Sequence, residues 1–324
     1  MSWRQQFFKM HPDLMNFKPN FSKFRFILGI GRSGTSWINR VFARSIEDLR
    51  CFSEPLYRVK PHIQFCKSYD HLTLGYTANI SSKHPLAILY TALLAPKANW
   101  DVLGLITRKN AAGVEYKQPR IISDPYPWSN CLVKETHSLL ATEALLNYFQ
   151  APTVFTLRNP IYLIDSIIDA FKLKGIYLIN EYNWLVKNYQ LDFLTKSNIE
   201  TLLYVASKPF KTYKATVISQ KFITSLIIQD MFRNLAKRYP SITLTVNYED
   251  NCNQPFKVFK KIAAFFKLKW TNKCDKVLRY CTTNEKSNLF TTCKISKNQP
   301  KRNFKWLSPE DVELCKELLN RYIG

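Results

Sequence analysis

Short apolar runs of four to seven residues alternate along the chain with segments whose apolar positions recur at helical spacing. Phe24–Ile30, Leu49–Phe52, Cys131–Lys134, Thr153–Leu157 and Ile242–Asn247 read as buried strands. Between them, Thr35–Ala43, Leu139–Phe149, Pro160–Phe171, Thr216–Tyr239 and Pro255–Phe266 read as helices. Strands this apolar are covered on both faces, and alternation with helices predicts an α/β fold: three layers around a central parallel sheet. The longest apolar run, Pro85 to Pro96, is short of the ~20 residues that span a bilayer and reads as a buried helix. Residues 98–130, with a Pro-x-Pro and Lys-rich turns, read as a long surface excursion of the kind that builds a substrate site. No repeat or linker divides the chain, so residues 1–324 are expected to form one domain.

Charge narrows the choice of partner. Lys plus Arg number 47 against 24 Asp plus Glu, a net charge of +23, and such a surplus calls for an anionic partner. Charge alone does not choose among nucleic acid, an anionic surface and a polyphosphorylated ligand. A nucleic-acid-binding protein is the competing reading, and the dispersed basic residues, with no helix-turn-helix or zinc-finger spacing, weigh against it, so no nucleic-acid partner is expected. The eight cysteines contain no C-x-x-C pair and have no His at zinc-ligand spacing, which predicts free thiols in a reducing compartment. The first residues, MSWRQQFFKMHPDLMNF, lack the apolar core of an export signal; a cytoplasmic protein without a membrane partner is expected.

Phe24-Arg25-Phe26-Ile27-Leu28-Gly29-Ile30-Gly31-Arg32-Ser33-Gly34-Thr35-Ser36-Trp37 carries the chemistry. A strand runs into a glycine-rich turn and then into a helix, an arrangement that points backbone N–H groups and the positive helix end at an anion. Gly29 and Gly34 have the spacing of a nucleotide-triphosphatase loop, but Thr35 stands where that loop needs Lys, and the basic residue comes earlier, at Arg32. The missing Lys weighs against a nucleotide or sugar kinase.

Gly31-Arg32-Ser33-Gly34-Thr35-Ser36-Trp37 resembles the 5′-phosphosulfate loop of sulfotransferases that use 3′-phosphoadenosine-5′-phosphosulfate (PAPS). Three further stretches resemble that family in the same order. Thr153 to Pro160 ends a strand in Arg158-Asn159-Pro160, with Ser166 eight residues past the Arg, similar to the 3′-phosphate motif; Arg158 is suited to fork onto a phosphate. Leu244 to Asp250 resembles the late strand with Y-E-D, where Glu249 and Asp250 are expected to cap the next helix. Cys281-Thr282-Thr283-Asn284 is similar to the adenine-side turn and implies a role for Thr282, although Asn284 replaces the aromatic residue. The basic run Lys294 to Trp306 stands where the family has its last nucleotide-binding loop, which implies Lys301 and Arg302 at the nucleotide; without the loop's glycines it also reads as a solvated turn before a helix opened by Ser308-Pro309-Glu310-Asp311.

The resemblance implies sulfuryl transfer from PAPS, with PAP as product and no metal. Charge that develops on the leaving oxygens needs a cation, for which Arg32 is placed, with Lys134 as a second. The acceptor proton needs a base, and two candidates stay open. Glu54, in Cys51-Phe52-Ser53-Glu54-Pro55-Leu56-Tyr57, resembles the E-P-L-Y glutamate of carbohydrate-type members. His137, in Lys134-Glu135-Thr136-His137, is similar to the K-T-H histidine of cytosolic members, but the extra Glu135 turns a strand-borne His137 to the opposite face unless a bulge absorbs it. The expected acceptor is a hydroxyl of a small metabolite or natural product; carbohydrate O-sulfation and N-sulfation are the alternatives.

Overall fold

The computed structural model describes residues 20–55, 80–82, 84–94, 107–109, 115–117, 130–173, 178–188, 194–283 and 303–323. Five parallel strands form the central sheet: β1 (Phe24–Gly29), β2 (Leu49–Ser53), β5 (Asn130–Glu135), β6 (Thr153–Leu157) and β7 (Thr243–Asn247). Their spatial order is β2-β5-β1-β6-β7. The excursion between β2 and β5 contributes a separate antiparallel pair, β3 (Thr107–Lys109) with β4 (Glu115–Lys117). Because β2 and β5 lie on one side of β1 and β6 and β7 on the other, the direction of winding changes at β1. In open parallel sheets ligands bind at such a switch point, beyond the carboxyl ends of the strands.

The helices are α1 (Thr35–Ser45), α2 (Pro85–Leu94), α3 (Thr142–Phe149), α4 (Pro160–Phe171), α5 (Ile179–Lys187), α6 (Lys196–Ser207), α7 (Tyr213–Arg238), α8 (Tyr248–Asn253), α9 (Pro255–Phe265), α10 (Asn272–Thr283) and α11 (Pro309–Ile323). Alternation along β1 splits the core in two. Phe24, Phe26 and Leu28 join a large cluster with α3, α4, α7 and α11, whereas Ile27 faces a second cluster built on α1, α9 and α10. Helix α7 runs through the larger cluster, and its buried positions include Ser219, Lys221, Thr224, Ser225 and Gln229 as well as apolar residues.

Local chemistry explains the elements that frame the site. Asn159 caps α4, its Oδ1 accepting from the N–H groups of Ile161 and Tyr162, and Pro160 occupies the first turn where its missing N–H costs nothing. Gly34 caps α1 in a left-handed conformation, φ 98°. A Cβ there would stand 2.8 Å from the Tyr248 ring, so the position excludes other residues both by conformation and by space. Among the described residues, no helix is long and apolar enough to cross a membrane.

Candidate active site

Four strand ends meet at the carboxyl edge of the sheet: the loop after β1, Glu54 after β2, Lys134 to His137 at the end of β5, and Arg158 after β6. The β1 loop is pinned from below. Ser33 and Thr156 hydroxyls share a hydrogen bond of 2.6 Å, and a Cβ on Gly29 would stand 2.0 Å from Thr156 Oγ1. The Ser33 side chain is therefore committed to the scaffold, and Ser36 is exposed on the first turn of α1.

Arg32 holds a left-handed backbone, φ 76°, unusual for a residue with a Cβ. From there its Nε donates to Ser166 Oγ at 3.1 Å, across to α4. Arg158 Nη1 donates to the Arg32 carbonyl at 2.7 Å, and the guanidinium lies over the Tyr248 ring, 4.3 Å from its centroid. The Arg158 N–H is held by Gln229 Oε1 at 3.1 Å, and the Asn159 N–H by Glu249 Oε1 at 3.0 Å. Buried Arg158 Nε makes no hydrogen bond to any described residue. Arg32 of the loop thus meets Arg158 and Ser166, which lie more than 120 positions further along the chain, at one point.

The second half of the site forms where β2 pairs with β5. Ser53 lies opposite Lys134, and the Glu54 N–H donates to the Lys134 carbonyl at 2.7 Å. This register brings the Lys134 ammonium, only 2% exposed, onto the Glu54 carboxylate, which also accepts from the Thr136 hydroxyl at 3.1 Å. Glu54 too has a left-handed backbone, φ 52°, at the point where the strand ends. Burial alone would raise its carboxyl, but Lys134, helped by His137 and Thr136, outweighs burial and holds it at about 2.

The face expected for His137 needs correction. Strand β5 stops at Glu135, and the chain then turns, so strand alternation does not extend to residue 137 and no bulge is involved. The turn closes on Glu135 itself: its Oε1 accepts from the N–H groups of Thr136 (2.8 Å) and His137 (2.9 Å), while Oε2 accepts from the Tyr90 hydroxyl at 3.4 Å. The extra residue therefore builds the turn that brings Thr136 onto Glu54. Half-buried His137 lies within electrostatic reach of the same carboxylate.

Other expected residues fall elsewhere. Trp37 packs in the smaller core with its ring 5.3 Å from that of Phe259. Thr35 is buried in the first turn of α1. Thr282 lies in α10, not in a turn, and its hydroxyl is spent on the Arg279 carbonyl at 2.9 Å. Glu249 and Asp250 do not cap α9, whose start carries no side-chain cap; they form the first turn of α8 instead. Leu56, Tyr57, Asn284, Lys301 and Arg302 lie outside the described residues. Sequence reasoning passed over Tyr248 and Glu249 as site residues, although the pairing of β7 with β6 sets the Y-E-D stretch directly beside Arg158.

The sequence profile described as Sulfotransferase domain matches residues 24–307, from the first residue of β1 to the segment before α11. The chain belongs to the sulfotransferase family. No curated protein matches this sulfotransferase in sequence. Among solved structures it is similar to the mouse sulfotransferase SULT7A1 complexed with PAP, at 12% identity and a TM-score of 0.42 over 96% of this chain and 88% of that one. It is also similar to sulfotransferase STF1 of Mycobacterium tuberculosis H37Rv, at 12% identity and a TM-score of 0.45 over 99% and 81%. A third is the sulfotransferase domain of the Synechococcus PCC 7002 olefin synthase, at 14% identity and a TM-score of 0.41 over 94% and 96%. For a sulfotransferase, a site that gathers two arginines, a lysine and a helix N-terminus suits a reaction in which negative charge moves between oxygens.

Proposed function

We propose that this sulfotransferase takes its sulfuryl group from PAPS and delivers it to a hydroxyl of a small-molecule acceptor, working as a single-domain enzyme. The observation that carries the donor reading is the meeting of Arg32, Arg158 and Ser166 beside the loop, with the buried Arg158 Nε left without a partner among the described residues. A buried guanidinium donor that no described residue satisfies suits an anionic ligand oxygen. Arg158 and Ser166 would hold the 3′-phosphate, and the backbone of residues 31–36 with the N-terminus of α1 would hold the 5′-phosphosulfate. PAPS, when bound, supplies the activated sulfuryl group.

The protein's own groups do the rest. Glu54 accepts the proton of the acceptor hydroxyl, and Arg32, with Lys134, the partner of Glu54 at rest, supplies positive charge for the leaving oxygens. His137 orients the acceptor or tunes Glu54 through its charge. Titration calorimetry tests the donor reading: PAP (3′-phosphoadenosine-5′-phosphate) is expected to bind well ahead of AMP. Arg158→Ala should cost about 1.5–3 kcal/mol of PAP affinity, the scale of a charged hydrogen bond. Equal affinities for PAP and AMP would refute it.

A further inference from the structure

Helix α4 presents more than Ser166. Tyr162, Asp165, Ser166 and Asp169 are spaced by three and four residues and share one side of the helix. Residues 303–307 lie along that side. Phe304 stacks on Tyr162 with ring centroids 4.9 Å apart. Asp165 Oδ1 accepts from three consecutive backbone N–H groups, those of Lys305 (3.0 Å), Trp306 (2.8 Å) and Leu307 (3.1 Å). One turn on, Asp169 Oδ1 accepts from Lys305 Nζ (2.9 Å) and Trp306 Nε1 (2.7 Å), and Lys172 Nζ stands 4.3 Å from the centre of the Trp306 ring. Both carboxylates are buried, at 7% and 5% exposure.

Packing alone does not require this arrangement. Two acidic side chains flank, within one helical turn, the hydroxyl assigned above to a phosphate. Left bare, they would oppose a dianion at that place, because like charges this close in a partly buried setting repel appreciably. We propose that residues 303–307 are a charge-masking clasp, in which the Lys305 ammonium offsets Asp169 and three backbone N–H groups turn Asp165 to themselves, and which so keeps the phosphate site beside Ser166 attractive to anions. Lys305 and Trp306 are positioning residues here: they act on the donor through Asp169 and need no contact with it. The inference rests on reading Arg158 and Ser166 as a phosphate site, and it adds that the site's strength depends on a segment 140 positions away in the chain.

The clasp predicts a rescue that a merely structural role would not give. Lys305 has a side chain 47% exposed, so its truncation leaves no cavity. In calorimetry with PAP at low ionic strength, Lys305→Ala should weaken binding about 3–30-fold, the effect of one unmasked charge at short range. Lys305→Ala combined with Asp169→Asn should restore it, because the unmasked charge is gone. Near 1 M salt, where the screening length falls to about 3 Å, the loss should shrink. Trp306→Phe, which keeps the ring and removes only the N–H, should move binding in the same direction, and melting curves confirm that each variant is folded. A wild-type protein that does not prefer PAP to AMP would overturn the phosphate reading and the clasp together. Preserved preference with Lys305→Ala as tight as wild type, or with no restoration by Asp169→Asn, would overturn the clasp alone.

Discussion

Replacing Glu54 by Gln separates the two candidate bases, and the structure sets the size of what should be seen. Gln keeps the shape and loses the charge, so the Lys134 ammonium, 2% exposed, is left without its counter-ion. The carboxyl sits at about 2 instead of 4.5, and that difference corresponds to about 3 kcal/mol of favourable interaction with the ionised form. Breaking a buried pair from one side costs about 3–5 kcal/mol. Because the Glu54 side chain is 24% exposed, the lower end applies. Thermal melting should therefore drop by roughly 5–10 °C while leaving a folded protein.

Against that background, turnover of the folded variant should fall about 10²–10⁴-fold, the worth of a positioned base. PAP affinity should not fall, since Arg32, Arg158 and Ser166 are untouched. His137→Ala should keep most of the rate. A pH profile gives an independent answer: with Glu54 as base, kcat/KM stays level from about pH 5 to 8, whereas a histidine base brings an acid limb near 6.5. An active Glu54→Gln beside an inactive His137→Ala, or such a limb in the wild type that Glu54→Gln leaves in an active enzyme, would refute the assignment and move the role to His137.

Acid titration should expose the same pair: Glu54 has a folded value below its unfolded one, so its stabilisation is complete above about 4.5 and is lost as pH falls toward 2. Urea midpoints of wild type and Glu54→Gln should therefore converge over that interval, and parallel curves would count against it. Gly34→Ala should cost on the order of 1–2 kcal/mol in stability from its left-handed backbone and should weaken PAP binding through displacement of Tyr248; unchanged calorimetry would contradict the account of the loop. In α7, burial lowers the Lys221 ammonium to about 8 while Glu181 opposes the shift. Lys221→Met alone should destabilise by removing a cation that offsets buried Glu181, whereas adding Glu181→Met should recover part of that loss, and an additive double loss would argue that the two charges do not interact.

The five strands of the central sheet were legible to within a residue at each end because parallel strands covered on both faces carry largely apolar runs, whereas β3 and β4 fell inside the stretch read as a surface excursion. Thr153–Leu157 and Pro160–Phe171 match their expected bounds at both ends. The loop was legible for a similar reason, since backbone that closes on a ligand or on Thr156 has no room for a side chain. Contacts across the sheet were not legible. Glu54 meets Lys134 through a register between strands 80 positions apart, which no local spacing encodes. The rule of alternating faces failed at His137 because it holds only while the chain remains a strand, and Glu135 ends the strand by capping its own turn. Thr282 was expected in a turn, but Val277, Leu278 and Cys281 face the smaller core and carry the helix through it.

The acidic groups around this site differ in what binds them, and the difference bears on which one can act as a base. Glu135 is committed to the N–H groups of Thr136 and His137, Glu249 to that of Asn159, and Asp165 to those of Lys305, Trp306 and Leu307. Asp169 is held by the Lys305 ammonium and the Trp306 indole. Freeing any of the first three means tearing backbone from its place, and freeing Asp169 undoes the clasp. Glu54 alone of the five is held by a lysine and a hydroxyl within the site itself. In the proposed reaction an anionic donor beside Lys134 would compete for that ammonium without moving any backbone, and with the cation shared the Glu54 carboxyl would rise from about 2. That rise would strengthen it as a proton acceptor, about tenfold in basicity for each pKa unit, only when the donor is in place. Lys134→Met should then remove the coupling: the pH at which Glu54 titrates becomes indifferent to PAP, as followed by carboxyl signals in NMR with and without the nucleotide. A shift on PAP addition that persists in Lys134→Met would show that the donor reaches Glu54 by another route.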